Sequence, residues 1–229
     1  MSRSRTILDR VLVVVVVLAL WQFASFTAGT YWVPAPWPVA KALWQSAASG
    51  ELFRHASYTL QASGWGFLIG GLPGALLPFV LRRMPTLSAI LDPYLVGGYG
   101  LPKLALAPLF ILWFGVGTAT NVVAVVLAAL LPIVIYTYHG ILDVPQVLVW
   151  SALAMDTPRH QLVWRILLPA ALQSIMTGLR IALGFSFVIG IAAEMIAANF
   201  GIGKLISVYG GLGSYDFIFA AVILLVAVV

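Results

Sequence analysis

Cysteine is absent from the 229 residues, which excludes disulfides, thiolate metal sites and cysteine nucleophiles. Charge is nearly as scarce: Asp, Glu, Lys and Arg make up 8% of the chain, against about 25% in a soluble domain that must coat its surface. With 62% hydrophobic residues and a mean hydropathy of +1.05, the natural solvent is lipid. A spanning segment there must be a helix or part of a closed barrel, because lipid satisfies no backbone polar group. The apolar stretches are long and do not alternate, so the expected fold is all-α: a polytopic transmembrane helical bundle. No His/Asp/Glu cluster has metal-ligand spacing, and no serine lies in a nucleophile setting, so no metal and no catalytic residue is assigned. Gly201-Ile202-Gly203-Lys204 superficially has a phosphate-loop look, but Ala198 stands where that loop needs glycine and Leu205 where it needs Ser or Thr. No nucleotide or other cofactor is therefore expected on this chain. The net charge of +5 lacks a basic stripe on a polar face, which argues against nucleic acid.

What is present is about six apolar segments of membrane length or close to it. A helix needs roughly 20 such residues to cross the hydrocarbon core. The segments are Val11 to Ala28, Tyr58 to Leu81, Pro93 to Phe114, Ala119 to Tyr138, Pro169 to Ala198, and a run from Phe217 that is still apolar at Val229. The third is interrupted by Gly97, Gly98, Gly100 and Pro102. The last is too short to span, so it is read as an incomplete helix of one domain, 1–229. Arg3, Arg5 and Arg10 precede a first run too long for a cleaved signal, which reads as an uncleaved anchor.

Placing the N-terminus in the cytoplasm puts Arg3, Arg5, Arg10, Arg82, Arg83, Arg159 and Arg165 inside and Lys41, Arg54 and Lys204 outside. That is the sign the positive-inside rule requires. Trp32, Trp37 and Trp44 in the first outer loop suit a membrane interface, and Pro34, Pro36 and Pro38 are expected to prevent a regular helix there.

Three groups of residues stand out. Lys103, Arg180 and Glu194 are ionisable groups within apolar segments, at about 2.5–3.5 kcal/mol each if placed centrally. For Arg180 and Glu194 the plainer reading is snorkelling to the headgroups. The functional reading, favoured for Lys103 beside the broken segment, is a polar path or a lock between helices. Gly66, Gly70 and Gly74 recur every four residues, the spacing that lets a second helix approach closely. The longest inner segment, 140–168, mixes Asp143, Asp156, Arg159, His160 and Arg165 with Val147, Leu148, Val149, Leu153 and Met155. That mixture suits one or two short amphipathic helices, with Asp156 or Thr157 as an N-cap before Pro158.

The run Leu101-Pro-Lys-Leu-Ala-Leu-Ala-Pro-Leu-Phe-Ile-Leu-Trp-Phe-Gly115 with Gly117, the run Gln161 to Pro169, Thr177 to Gly184, Ala193-Glu194-Met195 and Gly201-Ile-Gly203 together resemble the binding-protein-dependent ABC transporter permeases, nitrate/sulfonate/taurine branch. The resemblance covers Tyr58 to the end. It implies a transport subunit rather than an enzyme, in the cell (inner) membrane, importing a small anionic solute such as an aliphatic sulfonate, taurine or nitrate. The implied partners are ABC ATPase subunits that bind ATP, a second permease subunit forming a homodimer, an extracytoplasmic substrate-binding protein and the lipid bilayer. It also implies that 140–168 docks the ATPase through Trp150, Ser151, Ala152, Asp156, Arg159 and His160. Trp150, Ser151 and Ala152 stand on the family's Glu-Ala-Ala and Asp156 on its glycine, so only Ala152 matches outright. Dimer interface and pathway are expected near Lys103 and Arg180. The rival from another class is a secondary transporter or channel working without ATP, which the broken third segment would suit.

Overall fold

The computed structural model describes residues 3–228, with side chains from residue 9 to 227 apart from that of Arg159. The side chains of Arg3, Arg5 and Arg159, all placed inside by the charge rule, therefore lie outside the described residues. Eleven α-helices and two short helical turns of other pitch occur among the described residues, and no strand. They fall into two compact units, Met1–Ser57 with Phe200–Val229, and Tyr58–Asn199.

The first unit holds α1 (Arg3–Ala28), α2 (Pro36–Ala48), the first turns of α3 (Glu51–Leu81), α10 (Ile202–Gly211) and α11 (Tyr215–Val228). On α1 Val11 to Val17 are all about half exposed, as an apolar cylinder in lipid should be. Its Trp21 indole N–H donates to the Pro34 carbonyl at 3.0 Å, and the ring stacks on Phe219. The prolines that follow α1 do not prevent a helix. Pro36 opens α2, since a missing N–H costs nothing in a first turn, where that group has no intrahelical partner. Trp32, Trp37 and Trp44 remain exposed. Buried His55 accepts a hydrogen bond from the Gly201 N–H at 3.0 Å. The Tyr209 hydroxyl donates to Glu51 at 3.1 Å. Burial, and then that bond, raise the Tyr209 phenol above its usual range, so it stays a donor.

The second unit holds the rest of α3, then α4 (Pro85–Gly100), α5 (Ala107–Phe114), α6 (Thr118–Leu142), α7 (Gln146–Ala154), α8 (Arg159–Leu162) and α9 (Leu168–Ala197). Residues 9–28, α3, α6 and the continuous stretch His160–Ala197 are long and apolar enough to span. The third apolar segment is longer than expected and broken: α4 and the stretch Lys103–Phe114 meet at 93°. The Gly97–Pro102 run explains the bend, because Pro102 lacks the N–H that would continue α4. The sixth apolar run forms α11. Four continuous spans and one broken one thus account for most of the expected six.

Packing in this unit rests on small residues. A Cβ on Gly66 would lie 2.5 Å from the Val125 side chain, one on Gly70 2.5 Å from the Val126 carbonyl oxygen, and one on Gly74 3.1 Å from Ile133. The four-residue glycine stripe is therefore the crossing of α3 over α6, where only hydrogen fits. Gly140 and Gly178 do the same between α6 and α9, with virtual Cβ distances of 2.4 Å to Ser174 and 2.8 Å to Tyr136. Between α5 and α6, Gly115 turns the chain at φ 75°, and the Gly117 N–H donates to the Ala197 carbonyl at 2.7 Å. Thr120 Oγ1 closes the turn on the Gly115 carbonyl at 2.5 Å.

Candidate functional site

The 140–168 segment is helical at both ends. Residues 140–142 complete α6, and α8 leads directly into α9 through a widened turn at Val163–Leu167. Pro169 explains the widening. Its ring cannot sit against the Arg165 carbonyl in a regular helix, so the turn opens and the Leu168 N–H reaches back five residues to Val163. The end of the segment is thus continuous with a spanning helix.

Between these ends lies α7, and it is not amphipathic as the sequence pattern suggested. Val147, Leu148, Trp150, Leu153 and Met155 are all exposed, Trp150 at 64%, and Ser151 is exposed with them. Only Ala152 is buried; α7 as a whole neighbours α8 and the widened turn. Apolar side chains all round a short helix outside a core leave an unpartnered apolar surface. His160 is also exposed.

Asp156 has a different role from the one its spacing implied. It does not cap α8, whose preceding residue is Pro158 and which has no side-chain cap. It ends α7. Its φ is 55°, the sole positive value at a non-glycine position among the described residues. The Asp156 N–H donates to Leu153 O at 3.1 Å and the Thr157 N–H to Ala152 O at 3.0 Å. These are the paired bonds of a Schellman C-cap, where the left-handed residue is usually glycine. Aspartate tolerates that conformation better than most residues. Asp156 thus holds the backbone conformation that a glycine adopts most readily.

Three hollows surround the Arg82-Arg83 turn that follows α3. One of about 220 Å³ lies between Phe79, Arg82, Arg83 and the α7–α8 residues Val149, Leu153 and Leu162. The Arg82 guanidinium donates to the Ile141 carbonyl at the end of α6, satisfying a carbonyl that has no intrahelical partner. The structure therefore brings the basic pair, the end of α6 and the α7–α8 segment together at one end of the unit.

Inside the unit the ionisable residues separate. Glu194 is fully buried, which overturns snorkelling for this residue. Thr59 Oγ1 donates to its Oε2 at 2.9 Å and the Asn121 amide to its Oε1 at 3.3 Å. The carboxyl thus ties α3, α6 and α9. Ser63 beside it is buried, and Gly190 leaves room for it: a Cβ there would come within 2.9 Å of the Ser63 oxygen. Thr59, Ser63 and Asn121 were not singled out from the sequence. The signal was available, since Thr59 and Ser63 are one turn apart and polar side chains within spanning helices seek partners across helices. Lys103 does not reach this cluster. Its ammonium donates to the Tyr99 carbonyl at 2.9 Å and lies 5.4 Å from the Tyr99 ring centre, so it caps the C-terminal end of α4. Arg180 is exposed on α9. Among the described residues no group of three or more His, Asp and Glu could hold a metal ion.

Residues 62–229 match the family described as binding-protein-dependent transport system inner membrane component. A protein of Escherichia coli strain K12, provisionally named aliphatic sulfonates transport permease protein SsuC, is 37% identical over 191 residues, covering 82% of this chain and 73% of that one. The riboflavin transport system permease protein RibX of Chloroflexus aurantiacus is 32% identical over 206 residues, or 89% and 77% of the two chains. The taurine transport system permease protein TauC of Escherichia coli is 31% identical over 178 residues, or 78% and 65%. Among solved structures, the inward-facing MetNI methionine ABC transporter has a chain that superposes with a TM-score of 0.59 at 20% identity, covering 84% of this chain and 90% of that one. That likeness is one of fold.

Proposed function

Because the chain belongs to the family of binding-protein-dependent transport system inner membrane components, we propose that it is the membrane subunit of an ATP-driven importer. Two copies would pair in the inner membrane with their N-termini in the cytoplasm. Each would receive solute from an extracytoplasmic binding protein and an ATPase subunit on the other side, where ATP is bound and hydrolysed. No bond of the solute is made or broken on this chain. The observation that carries the proposal is the exposed apolar α7, fixed at one end by the Asp156 cap and joined through α8 to the spanning helix α9. Such a surface is what a helix docking into a partner's groove presents, and its continuity with α9 would pass movement of the ATPase into the membrane.

A small anionic solute, an aliphatic sulfonate or taurine, is supported by the names of two relatives. The relative named for riboflavin is of similar identity, so solute choice rests on uptake assays with the cognate binding protein. A transporter working without ATP would share the broken α4–α5 pair but would have no use for an exposed apolar α7.

Both are tested by co-purification of the chain with the ATPase and by uptake into vesicles. Trp150→Asp and Val147→Asp change exposed residues, and each is expected to abolish co-purification and ATP-dependent uptake while the chain stays folded. Ala152→Asp is a less clean probe, since Ala152 is buried. Uptake by the wild-type chain with no ATPase present would refute the importer proposal.

A further inference from the structure

Beside the Arg82-Arg83 turn, a hollow of about 570 Å³ has no place in the coupling scheme above. It is lined by Phe79, Val80, Met84, Val163 and Trp164, with two cationic or cation-capable groups, Arg83 and His160. Its volume lies within the range of small-molecule sites.

Its position decides its chemistry. Phe79 and Val80 belong to the last turn of the spanning helix α3, so the hollow lies at the headgroup end of that span. Trp164 is 68% exposed, as aromatic rings at that depth are. The walls are apolar and the polar groups are basic. Among the described residues no carboxylate lines it, in contrast to the neighbouring hollow of about 460 Å³, where Asp92 stands with Arg82. A groove with apolar walls and a basic rim is complementary to a molecule with an apolar body and an anionic end.

We infer that this hollow is a binding site for an anionic phospholipid, its phosphate held by Arg83 and His160 and its upper acyl chain lying against Phe79, Val80, Met84, Val163 and Trp164. His160, assigned above to ATPase docking, would then face lipid. The inference requires only that the chain is inserted in a bilayer. It does not rest on the ATPase proposal, and each can fail without the other.

The test uses Trp164 as its own reporter. The full chain is placed in phosphatidylcholine vesicles containing equal fractions of either bromine-labelled phosphatidylglycerol or bromine-labelled phosphatidylcholine. The Trp164 contribution is the difference in quenching between the chain and its Trp164→Phe variant. Apparent affinity for phosphatidylglycerol should exceed that for phosphatidylcholine about fivefold for one basic contact near the surface. Arg83→Gln should remove the preference, and Arg83→Lys, which keeps the charge, should largely restore it. Equal quenching by the two lipids, or a preference that survives Arg83→Gln, would overturn the inference. A final arm adds the cognate ATPase subunits. Persistence of the phosphatidylglycerol preference supports the lipid site, whereas its loss makes the hollow a seat for the ATPase and also overturns the inference.

Discussion

Around Glu194 the second unit hides polar side chains where the surroundings are apolar, whereas α7 exposes apolar side chains outside the spanning segments. In the first arrangement both oxygens of the buried carboxyl are satisfied, by Thr59 and Asn121, and three helices are tied, although the Ser63 hydroxyl and the Asn121 side-chain oxygen find no partner among the described residues. The second leaves Val147, Trp150 and Met155 uncovered, and an uncovered apolar surface gains free energy only when something else covers it. Polar groups buried in pairs hold a fold together, and apolar groups left open invite association. Substitutions at the two places should therefore fail in different assays, stability for one and partner binding for the other.

The largest stability loss is expected where backbones touch, at the crossing of α3 over α6 in the same unit. Gly70→Val places a branched side chain 2.5 Å from the Val126 carbonyl position, and overpacking of that kind costs about 3 kcal/mol. Thermal melting in detergent should show it, with Gly64→Ala, open to space, as the silent control. Next comes Trp150→Asp on the other side of the comparison. An exposed tryptophan at the centre of an interface is worth about 2 kcal/mol or more of binding, so ATPase affinity should fall at least tenfold, while the melting temperature shifts by no more than other surface changes do. Glu194→Ala should lower stability by about 1–2 kcal/mol, the range of polar contacts between spanning helices, and Glu194→Gln by less, because an acceptor remains for Thr59. The two regions would cease to differ if Glu194→Ala weakened ATPase binding and left melting unchanged. The smallest effect is expected at Asp156. Glycine there relieves roughly 1 kcal/mol of left-handed strain but frees the unfolded chain by about 0.4–1 kcal/mol, so Asp156→Gly should be nearly neutral in melting. Asp156→Val, which cannot adopt the conformation cheaply, should disrupt the α7 cap and reduce coupling.

Much of this could be read from the sequence where the physics is local. Spanning helices follow from composition, the α3 glycine stripe from its four-residue spacing, and the left-handed tolerance of Asp156 from its residue type. What escaped was set by distant chain. Glu194 was expected at the headgroups because its partners lie 135 and 73 residues away and no periodicity connects them. Pro36 and Pro38 read as breakers in the sequence because their positions within a first turn cannot be known until the helix start is known. The amphipathic expectation for α7 assumed one buried face, and most of its apolar residues are exposed rather than packed against other described residues.

The absence of native cysteine allows a direct test of α7 as the ATPase contact. Trp150→Cys becomes the chain's single thiol, and a short thiol–amine cross-linker is applied to membranes containing the assembled transporter. A permease–ATPase adduct whose yield changes when ATP is added is expected, with none from Trp37→Cys, which is also exposed but lies on α2. Equal labelling of Trp150→Cys in the presence and absence of the ATPase, with no adduct, would contradict it.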